Sequence, residues 1–192
     1  MPGELRDVPE SWPVTATEDL YRTDWVMALR LDELHPPGDD HTFRRLVLEH
    51  PGAVIVLAVD DRRRAYCLWQ YRHPAGRRFV ELPAGLLDTD GESVEDTARR
   101  ELREEAGLAA GEWILLGSTW SSPGISNEVM HFFLARDLRR LEDDDFERTH
   151  EEADMARDWV PVDELRAAVL DGLVGDGPLV QALLLAEAKG LL

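Results

Sequence analysis

The sequence predicts an α+β fold built on a mixed sheet, on three observations. Apolar, β-branched runs of strand length are separated by turn residues, three segments carry helical caps or helical apolar spacing, and the two kinds mix without strict βαβ alternation. Residues 1–15 hold Pro2, Pro9 and Pro13 among polar side chains and read as a tail or extended arm. Residues 25–31, from Trp25 to Leu31, have strand character. Pro36, Pro37, Gly38, Asp39 and Asp40 make a turn, and residues 42–48 return as the second strand of a hairpin. His50, Pro51 and Gly52 break that strand. Residues 53–59 are apolar throughout and rich in β-branched side chains, as a strand buried on both faces should be. Asp60, Asp61 and Arg62 turn the chain into a strand at 65–71, and a short strand at 79–82 is stopped by Pro83. Strands follow at 113–119 and 128–135, with Ser121, Ser122, Pro123 and Gly124 between them, and a last one at 158–160. Helices are expected at 93–106, 162–170 and 178–189. The first has Ser93 as N-cap, Asp96 three residues on, and Gly107 just past its end. The third shows an apolar face of Leu179, Val180, Leu183 and Leu184.

Charge and composition narrow the function. The chain has 192 residues, 21 Lys+Arg against 39 Asp+Glu, and a formal net charge of −18. Such a surface argues against nucleic acid as a partner, because polyphosphate strands attract basic proteins. The longest apolar run, 53–59, is far short of the ~20 residues that a membrane span needs, so no membrane partner is expected. Cys67 is the only cysteine, which excludes an internal disulfide and fits a reducing compartment. No basic-then-apolar leader is visible at Met1, and the expected location is cytoplasmic. His50, His73 and His150 match no zinc-ligand spacing, and Cys67, in a predicted buried strand, acts as a small hydrophobe.

The first helix carries the chemistry. With Glu101 at zero on a helical wheel, steps of about 100° put Glu104 near −60° and Glu105 near +40°, so three carboxylates share one stripe. Ala98, Leu102 and Ala106 lie beside it and should face the core. Crowding carboxylates next to an apolar face costs free energy that a hard divalent cation would remove. The plain alternative is a solvated acidic helix face in an acidic protein.

Context on both sides of the helix favours the cation. The string runs Gly85, six residues, Glu92, seven residues, then Arg100, Glu101, Leu102, Glu104, Glu105, Gly107 and Leu108. It resembles the Nudix box, with one extra residue between Gly85 and Glu92. At average residue usage such a pattern arises by chance about once in 10⁸ starts. Further strings resemble the ADP-ribose pyrophosphatase branch of that family. They are Arg45 with Glu49-His50-Pro51-Gly52, Gln70-Tyr71-Arg72, Glu81-Leu82-Pro83-Ala84-Gly85, and Ser122-Pro123-Gly124-Ile125-Ser126-Asn127-Glu128.

The resemblance implies a Nudix-type α/β/α sandwich over residues 51–192, with residues 1–50 an N-terminal strand extension that makes a homodimer. It implies Mg²⁺ or Mn²⁺ held by Glu101, Glu104, Glu105 and the carbonyl of Ala84, with Arg100 and Glu92 orienting helix and loop. It implies a small-molecule nucleotide substrate, ADP-ribose, hydrolysed to AMP and ribose 5-phosphate. Arg45 and Arg72 become candidates for the diphosphate, and Glu81 and Glu128 for ribose hydroxyls or adenine. Trp25 is a candidate for stacking on adenine. Arg72 as a surface strand arginine, Glu128 as a solvated strand start and Trp25 as packing stay open. The catalytic set is Glu105 with a general base from the acidic loop, Glu152 first and Glu151 second; a merely solubilising loop is the alternative. Two other functions compete: hydrolysis of another nucleoside diphosphate sugar, and a non-catalytic ADP-ribose-binding module.

Overall fold

The computed structural model describes residues 5–22, 27–141 and 155–192. Trp25, Glu151 and Glu152 lie outside the described residues, as does His150. The chain forms two compact units, one of residues 1–50 with 122–128, the other of 51–121 with 129–192.

The first unit is an antiparallel meander of β1 (Val14–Arg22), β2 (Ala28–Leu34) and β3 (Phe43–Glu49). A strand at β1 replaces the end of the expected tail. Every residue of β1 is exposed, so it shows none of the in–out alternation by which a half-buried strand is recognised. Its backbone ladder to β2 makes it a strand. Residues 122–128 join this unit because Leu48 N–H donates to the Ile125 carbonyl (2.7 Å) and His50 N–H to Asn127 Oδ1 (2.8 Å).

The second unit holds a four-stranded sheet in the order β7-β4-β9-β8 and a three-stranded sheet in the order β10-β5-β6. Their strands are β4 (Ala53–Ala58), β5 (Arg64–Arg72), β6 (Arg77–Glu81), β7 (Ala84–Leu86), β8 (Leu108–Trp120), β9 (Val129–Arg140) and β10 (Ala156–Pro161). β4 runs parallel to β9 and the other pairs are antiparallel, so the sheet is mixed. The helices are α1 (Val94–Ala106), α2 (Val162–Leu170) and α3 (Gly177–Ala188).

Period-two alternation along β4 makes the sandwich. Val54, Val56 and Ala58 pack with Ala98 and Leu102 of α1, while Ile55, Leu57 and Val59 pack with α2 and α3. Both faces are covered, which is why the segment is apolar throughout. On α3 the buried stripe is Leu179, Ala182, Leu183 and Ala186, and Leu184, expected inside, is 46% exposed. The short strand β7, absent from the sequence reading, resumes directly after Pro83, whose carbonyl accepts from Val56 N–H (2.8 Å). Cys67 is fully buried, and burial pushes its thiol up to about 12, so it is inert at neutral pH. Among the described residues no helix is long and apolar enough to cross a membrane.

Candidate active site

Local chemistry starts and stops α1 where the site needs it. Ser93 Oγ accepts from Asp96 N–H (3.1 Å) at the N-terminus. At the other end Gly107 takes the left-handed conformation (φ 64°), where a side chain would be strained. Between these ends the apolar stripe locks the helix to the sheet and turns the carboxylate stripe toward β7.

The approach to β7 is close. A Cβ on Gly85 would stand 2.6 Å from Glu101 Cγ and nearer still to its carboxyl group, so the Glu101 side chain occupies the space that any other residue would fill. Glu105 is likewise tied to β7, its Oε2 accepting from Ala84 N–H (2.9 Å). Glu101 and Glu105 are both buried, and Glu104 is half-buried. Burial pushes the Glu101 carboxyl up to about 7, against the pull of Arg100 and with Glu104 and Asp88 adding repulsion.

Arg100 ties helix and loop together. Its Nη1 bonds Glu101 Oε1 (2.6 Å) and Glu104 Oε2 (3.2 Å), while Nε reaches Glu92 Oε1 (3.2 Å). Thr97 Oγ1 donates to the same Glu92 (3.0 Å). The loop with the extra residue is thus anchored at Glu92. Among the described residues no three acidic or histidine side chains close into a chelating cluster. Instead, Arg100 neutralises Glu101 and Glu104, and the Ala84 amide holds Glu105.

Arg72 and Glu81, each a separate binding candidate by sequence, pair with one another. Arg72 Nε and Nη2 bond Glu81 at 3.0 and 2.6 Å, a fork on a buried carboxylate. They line a cavity of about 210 Å³ that also touches Phe79, Ala84, Asp176 and Pro178. Asp176 is a site residue that sequence reasoning missed. It caps α3 through Leu179 N–H (2.8 Å), and an Asp before Gly-Pro signals only a cap in the sequence. Burial pushes its carboxyl up to about 6.

The other two described candidates belong to the first unit. Arg45 is exposed on β3 with its guanidinium 4.2 Å from the Phe43 ring centre. Glu128 is half-buried, 3.6 Å from His50 Nε2, and burial lowers the His50 pKa.

A NUDIX domain model matches residues 49–183, and the glutamates gathered at β7 fall within that span. The chain belongs to the Nudix family. It is 41% identical over 174 residues to the ADP-ribose pyrophosphatase of Mycobacterium tuberculosis, an alignment covering 91% of this chain and 83% of that protein. With the ADP-ribose pyrophosphatase of Bacillus subtilis it shares 39% identity over 127 residues, 63% of this chain and 68% of that one. The crystal structure of an ADP compounds hydrolase matches the Nudix chain with a TM-score of 0.72 at 20% identity, covering 97% of this chain and 100% of the other. That likeness is one of fold.

Proposed function

We propose that this Nudix chain hydrolyses the diphosphate bond of ADP-ribose, releasing AMP and ribose 5-phosphate. The observation that carries the reading is the side-chain-free contact at Gly85, where Glu101 and Glu105 meet the backbone of β7. The resemblance to two ADP-ribose pyrophosphatases supports the substrate.

The donor set suits a divalent cation. Glu101, Glu104, Glu105 and the Ala84 carbonyl are hard oxygens, and a cation would offset the burial and carboxylate repulsion that disfavour the charged form of Glu101. Bound there, Mg²⁺ or Mn²⁺ supplies charge neutralisation for the diphosphate and a more acidic water. The chain's own groups do the rest. Arg100 keeps Glu101 and Glu104 oriented, and Glu81 holds the Arg72 fork so that Nη1, unbonded among the described residues, is offered to a phosphate oxygen. Glu152, with Glu151 as its alternate, takes the proton of the attacking water. A P–O bond forms as the bridging P–O bond breaks, and the leaving phosphate carries away the electron pair.

In the same reading Arg45, Glu128 and Trp25 contribute substrate contacts, and residues 1–50 serve a homodimer. Val14, Leu20 and Tyr21 of β1 and Leu46 of β3 leave apolar surface exposed, which supports a second copy as its cover. The cytoplasm is the proposed location, a reading supported by the single cysteine, which fits a reducing compartment.

Chromatographic product analysis tests this. ADP-ribose and a panel of other nucleoside diphosphate sugars are incubated with Mg²⁺, with EDTA and with the Glu105→Gln enzyme. AMP should appear fastest from ADP-ribose, only with metal, and be lost in the variant. Faster cleavage of another sugar nucleotide would replace the substrate and keep the chemistry. Metal-independent cleavage would remove the chemistry.

A further inference from the structure

We propose that the cavity between Arg72, Glu81 and Asp176 receives the sugar of the ribose 5-phosphate half of the substrate, and that Asp176 selects it by accepting a hydroxyl hydrogen bond. This rests on the diphosphate-hydrolase reading and assigns the sugar's place within it.

The cavity's chemistry chooses among the parts of a nucleoside diphosphate sugar. It adjoins Ala84, beside the glutamates, so its occupant lies next to the diphosphate. Its ionisable lining is two carboxylates and one guanidinium already forked onto Glu81. The balance is negative, so phosphate itself is disfavoured deep inside. Adenine matches less well: its N6 amino group can donate to one carboxylate, but N1, N3 and N7 are acceptors and would face groups that can only accept. A sugar presents hydroxyl donors to the same carboxylates, and the terminal ribose presents more of them than the adenosine ribose, whose C1 carries the base; Phe79 and Pro178 are left for its C–H faces.

Asp176 is the free acceptor. Its Oδ2 is held by Leu179 N–H, which fixes the carboxylate in place, while Oδ1 takes no hydrogen bond from the described residues. A fixed, half-buried oxygen with an open lone pair discriminates strongly, because a ligand lacking the matching donor leaves it unpaired. At pH 7 and above the group is mainly ionised and an acceptor.

Equilibrium binding of the two product halves, AMP and ribose 5-phosphate, to wild type, Asp176→Asn and Asp176→Ala gives the test, alongside kcat and KM for ADP-ribose. The Asn variant keeps an N-cap for α3, so a folded protein is available whatever the Ala variant does. The expected result is that ribose 5-phosphate binding weakens about ten- to hundred-fold in both variants, with AMP binding changed much less. KM for ADP-ribose should rise with kcat nearly kept. Weaker AMP binding with ribose 5-phosphate unaffected would put the base in the cavity and overturn the proposal, as would equal losses for both halves or no binding of ribose 5-phosphate to wild type. Failure of the wild-type enzyme to cleave ADP-ribose would instead overturn the underlying functional reading.

Discussion

Replacing Gly85 with alanine sets a methyl group against Glu101. The new Cβ would lie 2.6 Å from Glu101 Cγ, nearly an ångström inside an ordinary contact, and closer still to the carboxyl group. β7 is laddered to β4 and cannot retreat freely, so the side chain of Glu101 must move. Moving it breaks the 2.6 Å bond from Arg100 and takes the carboxylate from its buried place. Overpacking of this kind costs about 1–3 kcal/mol of stability. A shift of about 1 Å in a reacting constellation costs about 10²-fold in rate. Urea unfolding, metal titration and steady-state kinetics on Gly85→Ala should show both losses, with more metal needed for half-maximal activity. A double-mutant cycle isolates the cause, since the three nearest atoms to the added Cβ all belong to Glu101. In the Glu101→Ala background the stability cost of Gly85→Ala should disappear, giving a coupling of about 1–3 kcal/mol. An unchanged cost in that background, or a Gly85→Ala enzyme with wild-type metal dependence, would refute the reasoning.

Other consequences are as direct. Burial raises the folded pKa of Asp176 to about 6 from an ordinary 3.8, so its ionised form opposes folding. That opposition is present above pH 6 and fades as pH falls through 6 toward 4; Asp176→Asn should therefore stabilise by about 1–3 kcal/mol at pH 8 and not at pH 4, and equal gains at both pH values in thermal melts would sink the assignment. Arg72→Ala strands the buried Glu81 carboxylate; because Arg72 itself is 48% exposed, the expected loss in urea unfolding is about 1–3 kcal/mol, and a change below about 0.5 would mean that the pair is not formed. Glu152→Gln should lower kcat about 10²–10⁴-fold with KM little changed, whereas a kcat within about two-fold of wild type would pass the role to Glu151 or remove it from the loop. Ser93→Ala should cost about 1 kcal/mol through the lost cap of α1, read as a lower melting temperature.

What could be read from the chain alone was local. The start and end of α1, its carboxylate stripe and the sharing of Ala98 and Leu102 with the core follow from residues three or four apart, and the structure has them as expected. The strand at 53–58 was legible because burial on both faces leaves an unbroken apolar run. Strands without such a signature were missed: β1 is exposed on every residue, and β7 is only three residues long, held by its ladder to β4 rather than by its own pattern. β8 and β9 extend beyond their expected ends because each supplies the other's hydrogen bonds, so pairing sustains them past the apolar segments.

The sequence by itself determined which side chains the protein brings to its chemistry, since helical spacing puts Glu101, Glu104 and Glu105 on one stripe of α1. Only the tertiary structure decided how those groups are deployed. It put Glu101 in the void at Gly85, sixteen residues earlier in the chain, joined Arg72 to Glu81 as a pair, and brought Asp176 from the start of α3 to the same cavity. Those relations depend on which strand lies beside which and how deeply each group is buried. They are set by packing between residues far apart in the chain, for which spacing along it holds no record.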